Sequence, residues 1–130
     1  MNRPEHVRWL ERAQYDLDTA EAMVTTARHI YAVFMCQQAL EKTFKALLAY
    51  KGRQVLPIHN LRRLAEATDT ISALSPEDLR KLDFLSQYYL HARYKEDVQE
   101  LSKQVGEGAA KQFVEFAREK IRWLTRGMTQ

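Results

Sequence analysis

Residues 30–50, IYAVFMCQQALEKTFKALLAY, limit the folds open to this chain more than any other segment. At about 100° per residue, Met35, Ala39, Ala46, Cys36, Leu47, Leu40, Val33, Phe44 and Leu48 sweep through more than half of a helix's circumference. Gln38, Glu41, Lys42 and Lys45 crowd the remainder. A helix with so wide an apolar arc needs neighbours on two sides, so the rest of the chain has to supply covering layers.

The flanking segments read as those layers. After Pro4, which suits the first turn of a helix, Val7, Leu10, Ala13, Leu17, Ala20 and Val24 recur at steps of three and four, and they predict a first helix over residues 4–27. Thr25 and Thr26 are weak helix formers, and a tight turn is expected at Arg28-His29. Gly52 suits a helix stop, and Pro57 holds the following loop, RQVLPIH, out of helix. Asn60 is a good N-cap for a third, shorter helix carrying Leu61, Leu64, Ala65 and Ile71. A fourth starts at Ser75-Pro76-Glu77-Asp78, with Asp78 placed to complete a capping box, and runs through Leu79, Leu82, Leu85, Tyr89 and Ala92. Gly106 and Gly108 precede a last helix lined by Ala109, Phe113, Phe116, Ala117, Ile121 and Leu124. The expected fold is all-α: an up-and-down helical bundle of about five helices, in a single domain over residues 1–130.

Composition narrows the function classes. Lys and Arg exceed Asp and Glu by only 20 to 17, too few to announce a nucleic-acid binder, although a pI near 9.1 permits a local basic patch. Cys36 is the sole cysteine, which rules out an intramolecular disulfide or a cysteine-rich metal site and fits a reducing compartment. The opening residues, MNRPEHVRWLERAQ, hold no apolar core of signal-peptide length, and no stretch approaches the roughly 20 apolar residues that span a bilayer. A cytoplasmic protein without membrane association is expected. No His/Cys cluster has metal-ligand spacing, no Gly-rich phosphate loop occurs and no serine stands in a nucleophile motif, so no metal and no cofactor is expected.

The stretches YAVFMCQQALEKTFKALLAYKG, then IHNL, then YYLHARY, preceded by AQYDLDTAEAM in the opening helix, resemble a HEPN domain (higher eukaryotes and prokaryotes nucleotide-binding) over nearly the whole chain. The resemblance implies an up-and-down bundle that dimerises, works beside a small nucleotidyltransferase in toxin–antitoxin-type pairs, and in several branches cleaves RNA. Those ribonuclease branches carry an Arg followed, after four to six residues, by a His. Counted from Arg93, these places hold Val98, Gln99 and Glu100, so the pattern is absent there. Arg53 and His59 satisfy the spacing but fall in the loop containing Pro57.

The candidate residues each carry two readings. Arg93 either ties to a carboxylate of a neighbouring helix, Glu41 being the candidate, or recognises phosphate, with Tyr94 or Tyr88 stacking on a base. Tyr89 is expected in the core with Leu82 and Leu85, while Tyr88, His91 and Arg93 point elsewhere. Tyr94 is also a candidate acceptor for modification by a nucleotidyltransferase. His59 either caps the next helix and anchors its loop or meets a bound phosphate. Glu41 and Lys45, at i and i+4, form an ordinary ion pair worth roughly 0.3–0.5 kcal/mol if exposed, or a covered structural link if the helix is enclosed, with Lys45 otherwise a nucleotide contact. Trp9 and Trp123 are expected to pack the first helix on the last. Three functions remain open: a nucleotide- or RNA-binding module; a metal-independent ribonuclease using Arg93 with His59 or His91; and a ligand-free helical adaptor.

Overall fold

A computed structural model describes residues 3–91 and 105–128. Among the described residues there are five α-helices: α1 (Glu5–Thr25), α2 (His29–Tyr50), α3 (Leu61–Ala67), α4 (Pro76–His91) and α5 (Glu107–Thr125), with a 3-10 turn at Ile71–Ala73. No strand interrupts them, and the expected all-α bundle is observed. The helix starts follow local chemistry. Asn60 Oδ1 accepts from the Arg63 amide at 3.0 Å. At α4 the capping box closes reciprocally: Ser75 Oγ accepts from the Asp78 amide at 3.0 Å, and Asp78 Oδ2 accepts from the Ser75 amide at 3.2 Å. Partial burial pushes the Asp78 carboxyl up, but Lys120 of α5 and Ser75 outweigh it and hold the group below the usual carboxylate range.

Three helices stop by one device, a left-handed residue whose own amide and the next one turn back to free carbonyls. After α1 this residue is Ala27 (φ 61°), after α2 Gly52 (φ 72°) and after α3 Asp69 (φ 60°). At the first stop, the Ala27 amide donates to Val24 O at 3.0 Å and the Arg28 amide to Met23 O at 2.7 Å. Only Gly52 adopts that conformation without a Cβ penalty, which is about 1–2 kcal/mol for other L-residues. Ala27 is exposed, so its methyl group buries little. Ala27→Gly is therefore expected to raise unfolding free energy by about 0.5–1 kcal/mol, after the extra freedom of glycine in the unfolded chain is subtracted. Urea denaturation at unchanged slope is the measurement.

α2 is the axis of the bundle and packs against α1, α3, α4 and α5. Its core side chains Val33, Cys36, Leu40, Phe44 and Leu48 are all at most 1% exposed, and they join Leu17, Leu61, Leu64, Leu82, Leu85, Val114 and Ile121 in one cluster. Both flanks of the helix are covered by the chain's own helices. Burial pushes the Cys36 thiol up to about 12, which leaves it a small apolar core group rather than a nucleophile.

α3 has few means of its own. Its first amide donates to Ser86 Oγ of α4 at 2.9 Å, and Arg62 forms a fork with Asp83 of α4 at 3.0 and 2.7 Å. Beyond its other end, Lys51 Nζ donates to Thr68 O at 2.7 Å and Arg53 Nη1 to Ala67 O at 2.8 Å.

One expectation about aromatic residues is corrected. Tyr88, expected to point away from the core, is the buried tyrosine of α4, 2% exposed, and Tyr89 lies at the edge of the core. The reason is a second covered flank: Phe84 stacks on both Tyr88 and Phe113 of α5, at centroid distances of 5.7 and 5.1 Å. Trp9 lies against α2, with Lys45 Nζ 5.9 Å from its ring centroid. α1 and α5 are joined by the Arg118–Glu21 ion pair at 2.6 Å, and a groove lined by Val7, Leu10, Gln14, Ile121 and Thr125 runs between them.

Candidate functional site

Along α2, Phe34, Gln38, Glu41 and Lys45 follow at steps of four, three and four and so share one stripe. Three of them meet an aromatic ring, each from a different part of the chain. Phe34 stacks on Tyr89 of α4 with centroids 5.5 Å apart. Glu41 binds His59, in the loop before α3, whose Nδ1 lies 3.1 and 3.0 Å from its two carboxylate oxygens. Lys45 approaches Trp9 of α1. The Tyr89 and His59 rings are themselves 5.1 Å apart.

The Glu41 and Lys45 side chains are each 8% exposed, and a covered carboxylate is stable only when its lone pairs are met. Lys45 Nζ donates to Oε2 at 2.8 Å and Gln37 Nε2 to Oε1 at 3.0 Å. The same Gln37 amide donates to the His59 carbonyl at 2.9 Å, and Gln38 Nε2 donates to Gln37 Oε1 at 2.6 Å. Backbone and ring of His59 are thus both fastened to α2. An ionised carboxylate only accepts, so His59 Nδ1 carries a proton toward Glu41. Nε2 is left open: among the described residues it makes no hydrogen bond, and the side chain is 50% exposed. Beside it lies a cleft of about 80 Å³ lined by His59, Asn60, Ser86, Gln87, Tyr89 and Leu90.

The structure therefore unites three of the sequence candidates, His59, Glu41 and Lys45. Lys45 is engaged by Glu41 and covered, a structural link rather than an open cation. His59 anchors its loop, while Asn60 supplies the cap. Tyr88 stands apart in the core; burial pushes its phenol up to about 12, and its hydroxyl has no partner among the described residues. Arg53 is held by Asp69 at 2.8 Å and by the end of α3, and no contact joins it to His59. Arg93, Tyr94 and the side chain of His91 lie outside the described residues, and so does the expected Arg93–Glu41 tie. Sequence reasoning missed Gln37, Phe34 and Tyr89 as site components. The signal for Gln37 was its place four residues before Glu41; the ring contacts join distant segments and left no local signal.

Among the described residues no group of His, Cys, Asp and Glu side chains is arranged to hold a metal ion, and no helix is long and apolar enough to cross a membrane. In fold, the chain is similar to TT1696 from Thermus thermophilus, with a TM-score of 0.81 and 19% identity over 97% of this chain and 100% of that one. It is also similar to ST0689, an archaeal HEPN homologue, with a TM-score of 0.72 and 25% identity over 97% of this chain and 98% of that one. No curated protein matches the sequence. The profile of the HEPN domain matches residues 6–127, nearly the full length that folds around α2, and the chain belongs to the HEPN domain family.

Proposed function

We propose that this HEPN domain is a nucleotide- or RNA-binding module whose ligand meets the His59–Tyr89 ring pair. One observation carries this reading: His59 is held through its backbone carbonyl and Nδ1 while one ring nitrogen and half its surface stay open beside a cleft. A histidine needed only to anchor a loop requires one such tie. An aromatic ring held rigid at a cleft suits base stacking, and an open imidazole nitrogen suits a phosphate or a base edge. Arg93 and Tyr94 follow α4 closely in sequence and are the proposed phosphate and stacking partners. In this reading the domain acts as a homodimer with a small nucleotidyltransferase, in a toxin–antitoxin-type pair, and Tyr94 is the proposed acceptor of any modification.

The test is fluorescence anisotropy of a labelled single-stranded oligoribonucleotide. His59→Ala is expected to weaken binding roughly tenfold to hundredfold, the range for losing about 1–3 kcal/mol of stacking. Equal affinity for wild type and His59→Ala, with both proteins folded, defeats the proposal.

A second reading rests on the Glu41–His59 contact. A carboxylate on Nδ1 orients an imidazole for proton transfer at Nε2, the arrangement of a general base. It favours a metal-independent ribonuclease, and RNA cleavage in EDTA that vanishes in His59→Ala would establish it over simple binding.

A further inference from the structure

The α2 stripe ends at an aromatic side chain that the ligand reading leaves unused. Trp9 is half-buried, so part of the indole faces solvent. Its N–H points to Glu5 at 3.4 Å, and its ring is flanked by the Arg12 guanidinium at 5.4 Å and Lys45 Nζ at 5.9 Å from the centroid. Arg12 is exposed and pairs with no carboxylate among the described residues. A fixed indole with an exposed guanidinium against it that no carboxylate among the described residues neutralises offers a stacking face and a phosphate contact together.

The position matters as much as the chemistry. Trp9 is joined to His59 by an unbroken chain of contacts through Lys45 and Glu41, at 5.9, 2.8 and 3.0 Å. From Phe34, under Tyr89, to Lys45, beside Trp9, the stripe rises about 16 Å along α2 at about 1.5 Å per residue. At a stacked rise of about 3.4 Å per nucleotide that rise equals about five nucleotides, while the contact chain holds the His59 and Trp9 rings within about 12 Å, or about three to four nucleotides. A mononucleotide meets one platform only.

We infer that Trp9 and Arg12 form a second base-and-phosphate platform, so that the ligand of this domain is a single-stranded nucleic acid running over the rings that cover Glu41 and Lys45, from His59 to Trp9, rather than a free nucleotide. The inference rests on the ring pair His59–Tyr89 being the first platform. Two linked contacts multiply, so a strand that reaches both gains over a mononucleotide by an effective-concentration factor on the order of 10²–10⁴.

The experiment uses the chain's two tryptophans. Trp123→Phe leaves Trp9 as the sole indole, and the protein is titrated with adenosine monophosphate, with hexa-adenylate RNA and with the same sequence as DNA. At least one hexanucleotide is expected to quench Trp9 and to bind at least tenfold more tightly than the mononucleotide. By competition against a labelled oligonucleotide, which needs no indole, that advantage is expected to fall at least tenfold in Trp9→Ala, while mononucleotide affinity is unchanged. Arg12→Ala should reduce the salt dependence of hexanucleotide binding by about one phosphate contact. Trp9→Phe, which keeps a ring, should retain most of the affinity and guards against a folding defect. A hexanucleotide that binds without quenching, or as tightly to Trp9→Ala as to wild type, overturns the second platform and leaves the His59 reading standing. No binding by any of the three probes overturns both, and the RNA and DNA arms tell the two sugars apart.

Discussion

Glu41→Ala is expected to destabilise the fold by about 3–5 kcal/mol, the range for removing one partner of a buried ion pair. The size follows from what is left behind. Lys45, 8% exposed, loses its counter-charge, Gln37 loses one acceptor, and the His59 ring loses both carboxylate contacts. The pair as such need not stabilise the chain. A double variant, Glu41→Leu with Lys45→Met, should recover most of the loss, since replacing a covered pair by apolar residues of similar volume is often neutral or better. The same double variant should still lose ligand affinity, because His59 is no longer aimed. Urea denaturation with a constant slope, beside anisotropy, separates the two effects. A loss below about 1 kcal/mol in Glu41→Ala would mean that the carboxylate is solvated and the network is not closed.

Phe44→Ala is expected to cost about 3–5 kcal/mol by a different route, loss of apolar transfer plus an unfilled cavity. Phe44 is 1% exposed at the middle of the helix that every other helix touches, so no neighbour can collapse into the space without moving α2. Tyr15, 74% exposed on α1, is the control, and Tyr15→Ala should change stability by no more than about 0.5 kcal/mol. Similar small losses for both would contradict the enclosure of α2 on two flanks. Neither Phe44 nor Tyr15 belongs to the site, so both predictions can be checked without knowing the ligand.

The architecture was legible because its signals are local. The width of the apolar arc on α2, the caps at Asn60 and Ser75 and the stop at Gly52 each follow from residues within one or two turns. Where the chemistry was not local, the reading failed in specific ways. Ala27 terminates α1 in a left-handed conformation that an alanine does not announce, so the only sequence signal for that stop was the weak helix formers Thr25 and Thr26. Tyr88 and Tyr89 exchanged places because an apolar face of α4 drawn from Leu82 and Leu85 cannot know that α5 covers Phe84 as well. Glu41 and Lys45 were legible as a pair but not as a triad with His59, which lies 18 residues away in the chain from Glu41. Family membership could be read from motif order, whereas the ring contacts of Phe34, Tyr89 and Trp9 could not.

The way α3 is fastened has a consequence for how the site is assembled. A seven-residue helix cannot persist alone in water, and this one borrows its first hydrogen bond from Ser86 and has its trailing carbonyls met by Lys51 and Arg53. Its helical state therefore depends on α2 and α4 being docked against it, where Leu61, Leu64 and Ala65 are fully buried. His59 immediately precedes that segment, so the aim of the ligand-facing imidazole is set by the same docking that completes α3, through Gln37 and Glu41 of the helix beneath it.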